Sequence, residues 1–416
     1  MKSNQKNITF FTTDLYRGGV AEVVYKLVSV LSNYEQFKIS VIVYDNISDN
    51  FKLPSIVEVH QLRMPLWANF GKNKFDKFVR AILRYILLPF AIAKYILLKD
   101  KLNSDIIISN TPVINLIALL FKGEEKIIIV DHVVVDQDAQ NNQIIKHFLA
   151  TLSKLIYQKA DRAVAISKPL AKYYEEKIGI LNNKIVNIPN FIDIKKINTL
   201  ASEMIGSESD YLYNIPVIVS VGRLSQQKGQ WHLIRAFKKV IEVLKEANLL
   251  LVGDGELKNS LLQLSKDIGI EKNVCFVGWQ TNPIKYMFKA DIFVFPSLWE
   301  GFGLSLVEAM ACGLPVISTD CQAGPRDILA PYTNLELEIS DLEYTPYGVL
   351  VPVPDGIWRD AEEPLTSQEN LLAEAIIQLL KNKEEYDKYS QASICRSADF
   401  SVDRIVPQWV SLLEEL

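Results

Sequence analysis

The chain has 416 residues, of which 49% are hydrophobic, 10% aromatic and 23% charged, which excludes a disordered chain, a collagen-like fibre and a disulfide mini-scaffold. Its net charge of −4 combines a basic half with an acidic one: residues 1–190 carry 25 Lys and Arg against 17 Asp and Glu (+8), and the remainder carries 20 against 32 (−12). We therefore predict no nucleic-acid partner overall, but expect the basic half to have a partner of its own.

The first half alternates short apolar runs with segments of helical period. The apolar runs predict buried strands at 8–12, 39–44, 106–109, 127–130 and 163–166, and the periodic segments predict helices at 21–31 and 145–160. Repetition of strand, helix and strand predicts a parallel sheet with helices on both faces.

One segment of this half departs from the alternation. From Lys72 to Lys101, eight basic and two acidic residues are interleaved with aromatic and aliphatic ones. Its stretch Phe78–Leu98 is about long enough to span a bilayer. Arg80, Arg84, Pro89 and Lys94 nevertheless lie at internal positions, where each is costly in hydrocarbon. We predict an interfacial amphipathic element that binds an anionic membrane surface; an ordinary helix pair packed on the first sheet is the alternative.

The alternation begins again after a polar stretch at 194–214. Strands are predicted at 217–221, 249–252, 274–277, 292–295 and 315–318, with helices at 231–245, 256–268, 283–289 and 305–311. Residues 332–368, rich in Pro, Asp and Glu, are predicted to form long loops.

The predicted fold class is therefore α/β, with two doubly wound, Rossmann-like domains and a ligand in a cleft that faces the carboxyl ends of their strands. Domain boundaries are predicted as follows: first domain 1–195, linker 196–214, second domain 215–398, and a C-terminal helix 399–416 that packs back on the first domain.

Two glycine-bearing loops follow predicted strands. Gly18 and Gly19 lie before the first predicted helix, where free N–H groups form an anion site, or where a turn simply needs a positive φ. Gly222 opens a loop that carries Arg223 and Lys228. Two cations on such a loop suit a diphosphate, although solvated surface cations are the alternative.

A third loop contains Gly253 and Gly255 around an aspartate. It invites comparison with the dinucleotide fingerprint, but the last glycine of that fingerprint is replaced by Lys258, so a nicotinamide site is not supported. A tight turn near a ligand, or a plain strand–helix connection, remains.

The strongest pattern is the E-x7-E segment EGFGLSLVE, which begins at Glu300 and ends at Glu308. Gly303 allows the backbone to approach a ligand, and N–H groups at the following helix start can bind phosphate oxygens. Glu308 can accept hydrogen bonds from a ribose diol and Glu300 from sugar hydroxyls. Because the surroundings are apolar and buried unpaired acids are costly, the alternative of a capping acid plus an acid on the helix surface is disfavoured.

Together the glycine pair, GRLSQQKG, GDG and EGFGLSLVEAMACGLPVI resemble the retaining glycosyltransferases of family GT4, which have the GT-B fold, over nearly the whole chain. The adjoining DCQAGPRDIL resembles members that build bacterial capsule, O-antigen and glycan-linked lipids. In that segment Asp327 occupies the position where Glu is usual. The difference concerns the role of this residue and does not change the family resemblance.

The resemblance implies a role for each matched position. Arg223 and Lys228 would hold the donor diphosphate, Glu300 would contact the donor sugar, and Glu308 would bind the nucleotide ribose. His132 would lie near the sugar, with a satisfied polar group at a strand end as the alternative. The other implied donor-binding positions are Gly18, Gly19, Gly222, Gly253, Gly255, Phe302, Gly303, Leu304 and Ser305.

The implied reaction is transfer of a sugar from a nucleotide-diphosphate sugar, with a UDP-sugar favoured, to a lipid-linked or surface-polysaccharide acceptor, with retention of configuration. No cofactor and no metal ion are expected, because Arg and Lys can neutralise the departing diphosphate. The alternatives are a soluble GT-B enzyme, such as a nucleotide-sugar epimerase or a sucrose- or glycogen-type synthase, and a non-catalytic nucleotide-sugar-binding protein.

The cellular compartment is predicted from two features. The four cysteines include no CxxC pair, which favours a reducing compartment, and the N-terminus lacks the apolar region of a secretory signal. We therefore expect a cytoplasmic protein that associates peripherally with the inner face of the cell membrane.

Overall fold

The structure is a computed structural model that describes residues 5–16, 18–48, 51–63, 74–132, 151–152, 154–205 and 213–416, with the backbone alone described for 74–86. The chain divides into two compact units, one comprising Met1–Pro189 with Val406–Leu416 and the other Asn190–Ile405. The predicted helix over 145–160 and the start of the segment from Lys72 to Lys101 lie partly outside the described residues.

The first unit contains a seven-stranded parallel sheet in the order β3-β2-β1-β4-β5-β6-β7. Its strands are β1 (Lys6–Thr12), β2 (Phe37–Val43), β3 (Glu58–Gln61), β4 (Ile106–Asn110), β5 (Lys126–Asp131), β6 (Arg162–Ala165) and β7 (Ile185–Asn187). Its helices include α1 (Gly19–Leu31), α2 (Lys74–Leu102), α3 (Pro112–Leu120) and α4 (Lys168–Lys172).

The central strands of this sheet are buried on both faces. Ile106, Ile107 and Ile108 of β4 are each 0% exposed, and Phe10 and Phe11 of the neighbouring β1 are buried to the same degree. A continuous apolar run, rather than an alternating one, is what a parallel strand covered on both faces requires. The predicted parallel sheet of the first half is confirmed.

Helix α2 is a single helix of 29 residues rather than a helix pair. One side of it packs on the sheet, where the Tyr95 ring stacks on the Phe11 ring of β1 at 4.4 Å between centroids. Within the described ranges, no helix is both long enough and apolar enough to cross a membrane.

The second unit contains a seven-stranded sheet in the order β10-β9-β8-β11-β12-β14-β13, parallel except for the antiparallel β13–β14 pair. Its strands are β8 (Val217–Val221), β9 (Asn248–Val252), β10 (Val274–Gly278), β11 (Ile292–Phe295), β12 (Val316–Thr319), β13 (Glu343–Thr345) and β14 (Gly348–Val351). Its helices include α5 (Ile194–Ala201), α6 (Gln230–Leu244), α7 (Lys258–Asp267), α8 (Ile284–Phe288), α9 (Leu304–Ala311), α10 (Pro325–Leu329), α11 (Ser367–Lys381), α12 (Lys383–Ser397) and the start of α13 (Val402–Glu415).

Two stretches of the second half differ from their sequence predictions. Within the predicted linker, α5 forms a capped helix: the Asp193 side chain accepts a hydrogen bond from the Lys196 N–H at 2.9 Å. The prediction of long loops over 332–368 is wrong for β13 and β14, because the apolar run of β14 is completely buried beside β12. The proline and acidic residues around that run indicated a loop, so its four-residue strand was not predicted.

The last residues, Val406–Leu416, are counted with the first unit. There the Lys6 ammonium donates hydrogen bonds to the carbonyls of Leu413 at 3.0 Å and Glu414 at 2.8 Å. A basic side chain at a helix C-terminus satisfies carbonyls that have no partner within the helix.

Candidate active site

The loops that follow β8 and β9 pack backbone against backbone at the carboxyl edge of the second sheet. A Cβ atom on Gly253, whose φ is +147°, would lie 1.9 Å from the Gly222 carbonyl oxygen, and one on Gly255 would lie 2.3 Å from the Leu224 carbonyl oxygen. Both glycines are therefore required by close approach. The predicted tight turn is present, and it closes on the loop that carries Lys228.

Lys228 and Glu300 form an ion pair at this edge. The Lys228 ammonium donates a hydrogen bond to Glu300 Oε1 and lies 4.9 Å from the centroid of the Phe295 ring. The two side chains are only 19% and 8% exposed. The aliphatic stem of Lys228 passes close to Gly222, where an added Cβ would stand 3.5 Å from Lys228 Cε.

The backbones that carry this pair are also joined. Leu298 N–H donates to the Gln227 carbonyl at 2.7 Å, and the Gln227 side chain donates to the Trp299 carbonyl at 3.0 Å. Gly229, at φ +59°, leaves no room for a Cβ, which would lie 2.3 Å from the Pro296 carbonyl oxygen. The loop after β8 therefore positions Lys228 rigidly against Glu300.

The turn 300–303 leads from this ion pair into α9. Gly303 adopts a φ of +104°, and the first intrahelical hydrogen bonds are donated by Leu306 and Val307 to its carbonyl. The N–H groups of Leu304 and Ser305 precede those bonds and point out of the helix start. They carry the partial positive charge of the helix N-terminus, so an anion placed there would be stabilised.

The remaining predicted residues of this segment are buried beside the turn. Phe302 is 4% exposed and Glu308, one turn further along α9, is 9% exposed. The Ser305 hydroxyl donates to the Val221 carbonyl at 3.2 Å, which ties the helix start to the end of β8. The structure therefore gathers Lys228, Glu300 and the α9 N-terminus at one edge of the sheet.

Arg223 lies differently from its predicted companion Lys228. Its side chain is 66% exposed and forms an ion pair with Glu256, with Nη2 and Oε2 at 3.1 Å. Its carbonyl accepts a hydrogen bond from the buried Gln230 side chain at 2.9 Å. The backbone of Arg223 is thus fixed, whereas its guanidinium stands on the exposed side of the loop.

His132 and the Gly18–Gly19 pair belong to the first unit. His132 follows β5 and is 8% exposed, with Nε2 at 3.2 Å from Asn110 Oδ1 at the end of β4. Burial lowers the pKa of His132 to about 4, so the imidazole is neutral at physiological pH. Gly18 has a φ of +107° at the start of α1, which accounts for glycine there, and among the described residues nothing lies within 4 Å of a Cβ added at Gly18 or Gly19.

A buried polar cluster around Asp131, the residue before His132, was not predicted from the sequence. Asp131 Oδ1 accepts hydrogen bonds from the Asn115 amide at 2.7 Å and the Tyr157 hydroxyl at 3.3 Å, and the Asp131 N–H donates to the Tyr174 hydroxyl at 2.9 Å. Burial raises the pKa of Asp131 to about 7 against the opposite effect of its donors. The sequence feature that could have indicated this cluster is an aspartate at the end of an apolar strand.

The neighbouring His132 and Asp131 are expected to give opposite pH dependences of stability. Between pH 4 and 6.5 the unfolded chain binds a proton at His132 that the folded chain does not, so His132 makes the free energy of unfolding rise with pH. Between pH 4 and 7 the folded chain holds a proton at Asp131 that the unfolded chain has lost, so Asp131 makes the free energy of unfolding fall as the pH rises. Across its window the contribution is about 3 kcal/mol for His132 and about 4 kcal/mol for Asp131.

Two variants separate these contributions in urea unfolding measured from pH 4.5 to 7. Relative to wild type, His132→Gln should make the free energy of unfolding fall more steeply with rising pH, and Asp131→Asn should make it rise more steeply. Parallel curves for the two variants and the wild type would show that neither group changes its proton affinity on folding.

Metal-binding groups of three or more His, Cys, Asp or Glu residues are not found among the described residues.

Comparison with known proteins assigns the family. The model described as Glycosyltransferase Family 4 matches residues 17–196, and the model described as Glycosyl transferases group 1 matches residues 213–337. An uncharacterized glycosyltransferase of Methanocaldococcus jannaschii is 36% identical over 286 residues, which cover 66% of this chain and 70% of that protein. The chain belongs to the GT4-type glycosyltransferases.

This glycosyltransferase also resembles a relative with a named activity. The N-acetylgalactosamine-N,N'-diacetylbacillosaminyl-diphospho-undecaprenol 4-alpha-N-acetylgalactosaminyltransferase of Campylobacter jejuni is 30% identical over 330 residues, which cover 78% of this chain and 83% of that protein.

Solved structures agree with the fold of this glycosyltransferase. A sucrose-phosphate synthase from Thermosynechococcus elongatus superposes with a TM-score of 0.75 at 19% identity, covering 99% of both chains. HepE of Anabaena in complex with UDP superposes with a TM-score of 0.72 at 18% identity, covering 99% of this chain and 100% of that one. The predicted family and the GT-B fold are confirmed.

Proposed function

We propose that this glycosyltransferase transfers a sugar from a nucleotide-diphosphate donor, with a UDP-sugar favoured, to a lipid-linked or surface-polysaccharide acceptor with retention of configuration. The observation that carries the proposal is the largely buried Lys228–Glu300 pair beside the α9 N-terminus, at the carboxyl edge of the second sheet. That edge is where open α/β sheets bind their ligands.

The donor diphosphate is assigned to Lys228 and the α9 start. Cleavage of the anomeric C–O bond builds negative charge on the diphosphate and oxocarbenium character on the sugar. Lys228 is already oriented by Glu300, and the Leu304 and Ser305 N–H groups need no reorganisation to face an anion. Preorganised groups of this kind stabilise the transition state more than the ground state.

The other donor contacts follow from chemistry and placement. Glu300, next to the diphosphate cation, would accept hydrogen bonds from sugar hydroxyls, and Glu308, further along α9, from the ribose diol. Arg223 could reach the diphosphate only after leaving Glu256, an exposed pair of the kind that contributes little to stability. Because Lys228 supplies the positive charge, the reaction as proposed needs no metal ion.

Retention and the choice of donor are supported by family membership rather than by this site alone. The acceptor hydroxyl would attack on the face from which the diphosphate leaves, with its proton passing to the departing phosphate. A structural neighbour, HepE, is recorded in complex with UDP, which favours UDP in this chain. The diphospho-undecaprenol in the name of the Campylobacter jejuni relative favours a lipid-linked acceptor.

The experiment is a panel of UDP- and GDP-sugars incubated with polyprenyl-diphosphate glycans and, separately, with soluble oligosaccharides, read by nucleotide release and by the anomeric coupling of the product. A retained product on the lipid-linked acceptor is expected. Transfer to soluble sugars alone, or an inverted product, would contradict the proposal.

Glu308→Gln supplies the variant arm of that experiment. It keeps the size of the side chain but removes a charge-assisted acceptor, so the KM for the donor is expected to rise about tenfold. Glu271→Gln, on an exposed turn of the same unit, is the matched control. A wild-type donor KM in Glu308→Gln would remove Glu308 from the donor site.

Peripheral membrane binding is proposed through the exposed face of α2. Phe90 and Leu97, two turns apart, are 65% and 71% exposed, and Lys101 continues the same face. Lys94 lies between them, with its ammonium donating to the Gln61 carbonyl at 2.9 Å. Apolar side chains with lysines alongside suit the headgroup region of an anionic leaflet at the inner face of the cell membrane.

Replacing both Phe90 and Leu97 with serine is expected to abolish most co-sedimentation with vesicles of phosphatidylglycerol and phosphatidylethanolamine. The control is Leu181→Ser, since Leu181 is 65% exposed in the same unit but lies outside α2. Equal sedimentation of all three proteins would discard the membrane surface on α2.

A further inference from the structure

The turn 300–303 is held by contacts that come from different parts of the second unit. Lys228 forms an ion pair with Glu300. The Gly324 backbone lies so close to the turn that a Cβ added at Gly324 would be 1.9 Å from the Phe302 carbonyl oxygen. One contact comes from outside the loops of the sheet: the Phe302 ring meets the Phe400 ring edge-on, with centroids 5.4 Å apart.

Phe400 lies near the end of the second unit, where the chain forms hydrogen bonds with the unit's first residues. It ends a single 3-10 turn, Ala398–Phe400, that joins α12 to α13. Its carbonyl accepts a hydrogen bond from the Ile192 N–H at 2.8 Å, and the Val402 N–H donates to the Ile192 carbonyl at 2.9 Å. The resulting bridge between Ile192 and Ser401 is parallel.

This bridge joins the two ends of the second unit. Ile192 lies two residues after its first residue, Asn190, and Ser401 lies four residues before its last, Ile405. The Phe400 ring is held from a further side by the Arg396 guanidinium, 4.7 Å from the ring centroid, whose Nε donates to the Ile328 carbonyl at the end of α10 at 2.9 Å. Phe400 is therefore fixed by its surroundings and is only 6% exposed.

We infer that Phe400 is a positioning residue for glycosyl transfer: it acts through the Phe302 ring to hold Glu300 and the N–H groups of Leu304 and Ser305 in their reactive arrangement. The inference rests on the proposed function of those groups as the donor site. Phe302 stands between Glu300 and the α9 start in the chain, so a shift of its ring moves both. A close-packed interior transmits such a shift because it offers no free volume to absorb it.

The test is a double-mutant cycle on kcat with Phe302→Leu, Phe400→Leu and the double variant. Each single variant is expected to lower kcat by about ten- to a hundredfold with a smaller change in the donor KM, since a small misplacement of reacting groups is costly. The double variant should be no slower than the slower single variant, because both substitutions break one contact. Phe237→Leu, a fully buried phenylalanine on α6, should lower the melting temperature similarly but leave kcat unchanged.

A second measurement does not depend on activity. Amide hydrogen exchange of the ligand-free protein should be faster over residues 302–306 in Phe400→Leu than in Phe237→Leu. Wild-type exchange there, or losses in kcat that multiply in the double variant, would overturn the role of Phe400. Faster exchange in a chain that uses no nucleotide-sugar donor would support the packing role while rejecting the proposed function.

Discussion

Replacing Lys228 with methionine is expected to lower kcat/KM for glycosyl transfer by about 10²- to 10³-fold. Methionine keeps an apolar stem of similar length beside Gly222 but removes the charge that would stabilise the departing diphosphate. The variant also leaves Glu300, which is 8% exposed, without its cation, so the free energy of unfolding should fall by about 3 kcal/mol. Nucleotide release and urea unfolding measure the two losses separately.

The double variant Lys228→Met, Glu300→Gln distinguishes catalysis from ion pairing. Removing both charges eliminates the uncompensated carboxylate, so stability should return to near the wild-type value while transfer stays impaired. If the double variant recovered transfer together with stability, Lys228 would be present only to neutralise Glu300, and the diphosphate would need another cation.

The sequence predicted the location of this pair better than its geometry. Lys228 and Glu300 are 72 residues apart, yet each follows a predicted strand, and the carboxyl ends of neighbouring parallel strands share one edge of a sheet. The apolar runs of β8 and β11 therefore sufficed to bring the two loops together. Their direct ion pair could not be foreseen, because it depends on how Gly229 and Gln227 join the loop after β8 to residues 296–299.

Side-chain partners are the part that the sequence did not determine. Arg223 and Lys228 carry the same charge on the same loop, but Arg223 pairs with Glu256 at the surface while Lys228 pairs with the buried Glu300. Glu256 follows the GDG turn, which was considered only for its glycines. The rotamers of long charged side chains are decided by local packing and solvent, which no spacing rule encodes.

The sequence also did not predict which polar groups are buried. The sequence shows His132 and Asp131 only as polar residues at a strand end, whereas Asn115 and Tyr157 converge on Asp131 from positions 16 and 26 residues away. Phe400, about a hundred residues from Phe302, lacks any motif of its own. Contacts of this range arise from tertiary packing and leave no periodic trace in the chain.

Replacing Gly253 with alanine is expected to destabilise the second unit by at least about 3 kcal/mol and to impair donor binding as well. The new Cβ would lie 1.9 Å from the Gly222 carbonyl oxygen, at a φ of +147° that L side chains rarely adopt. Since that atom is backbone, relief requires the loop after β8 to move, not merely a side chain. Gly222 lies close to the stem of Lys228, so the movement is expected to displace the ammonium proposed to bind the diphosphate. Urea unfolding and UDP titration calorimetry measure the two effects.

Gly269→Ala is the matched control, because Gly269 also has a positive φ, +74°, but open space surrounds the position of its missing Cβ. The free energy of unfolding of this variant should fall by only about 1 kcal/mol, the cost of a positive φ for alanine, and its affinity for UDP should be unchanged. The difference between the two variants thus isolates the contact between the loops from the strain of a positive φ. Equal losses of stability would mean that the loops after β8 and β9 are not in backbone contact, and the rigid placement of Lys228 that the transfer mechanism requires would lose its physical basis.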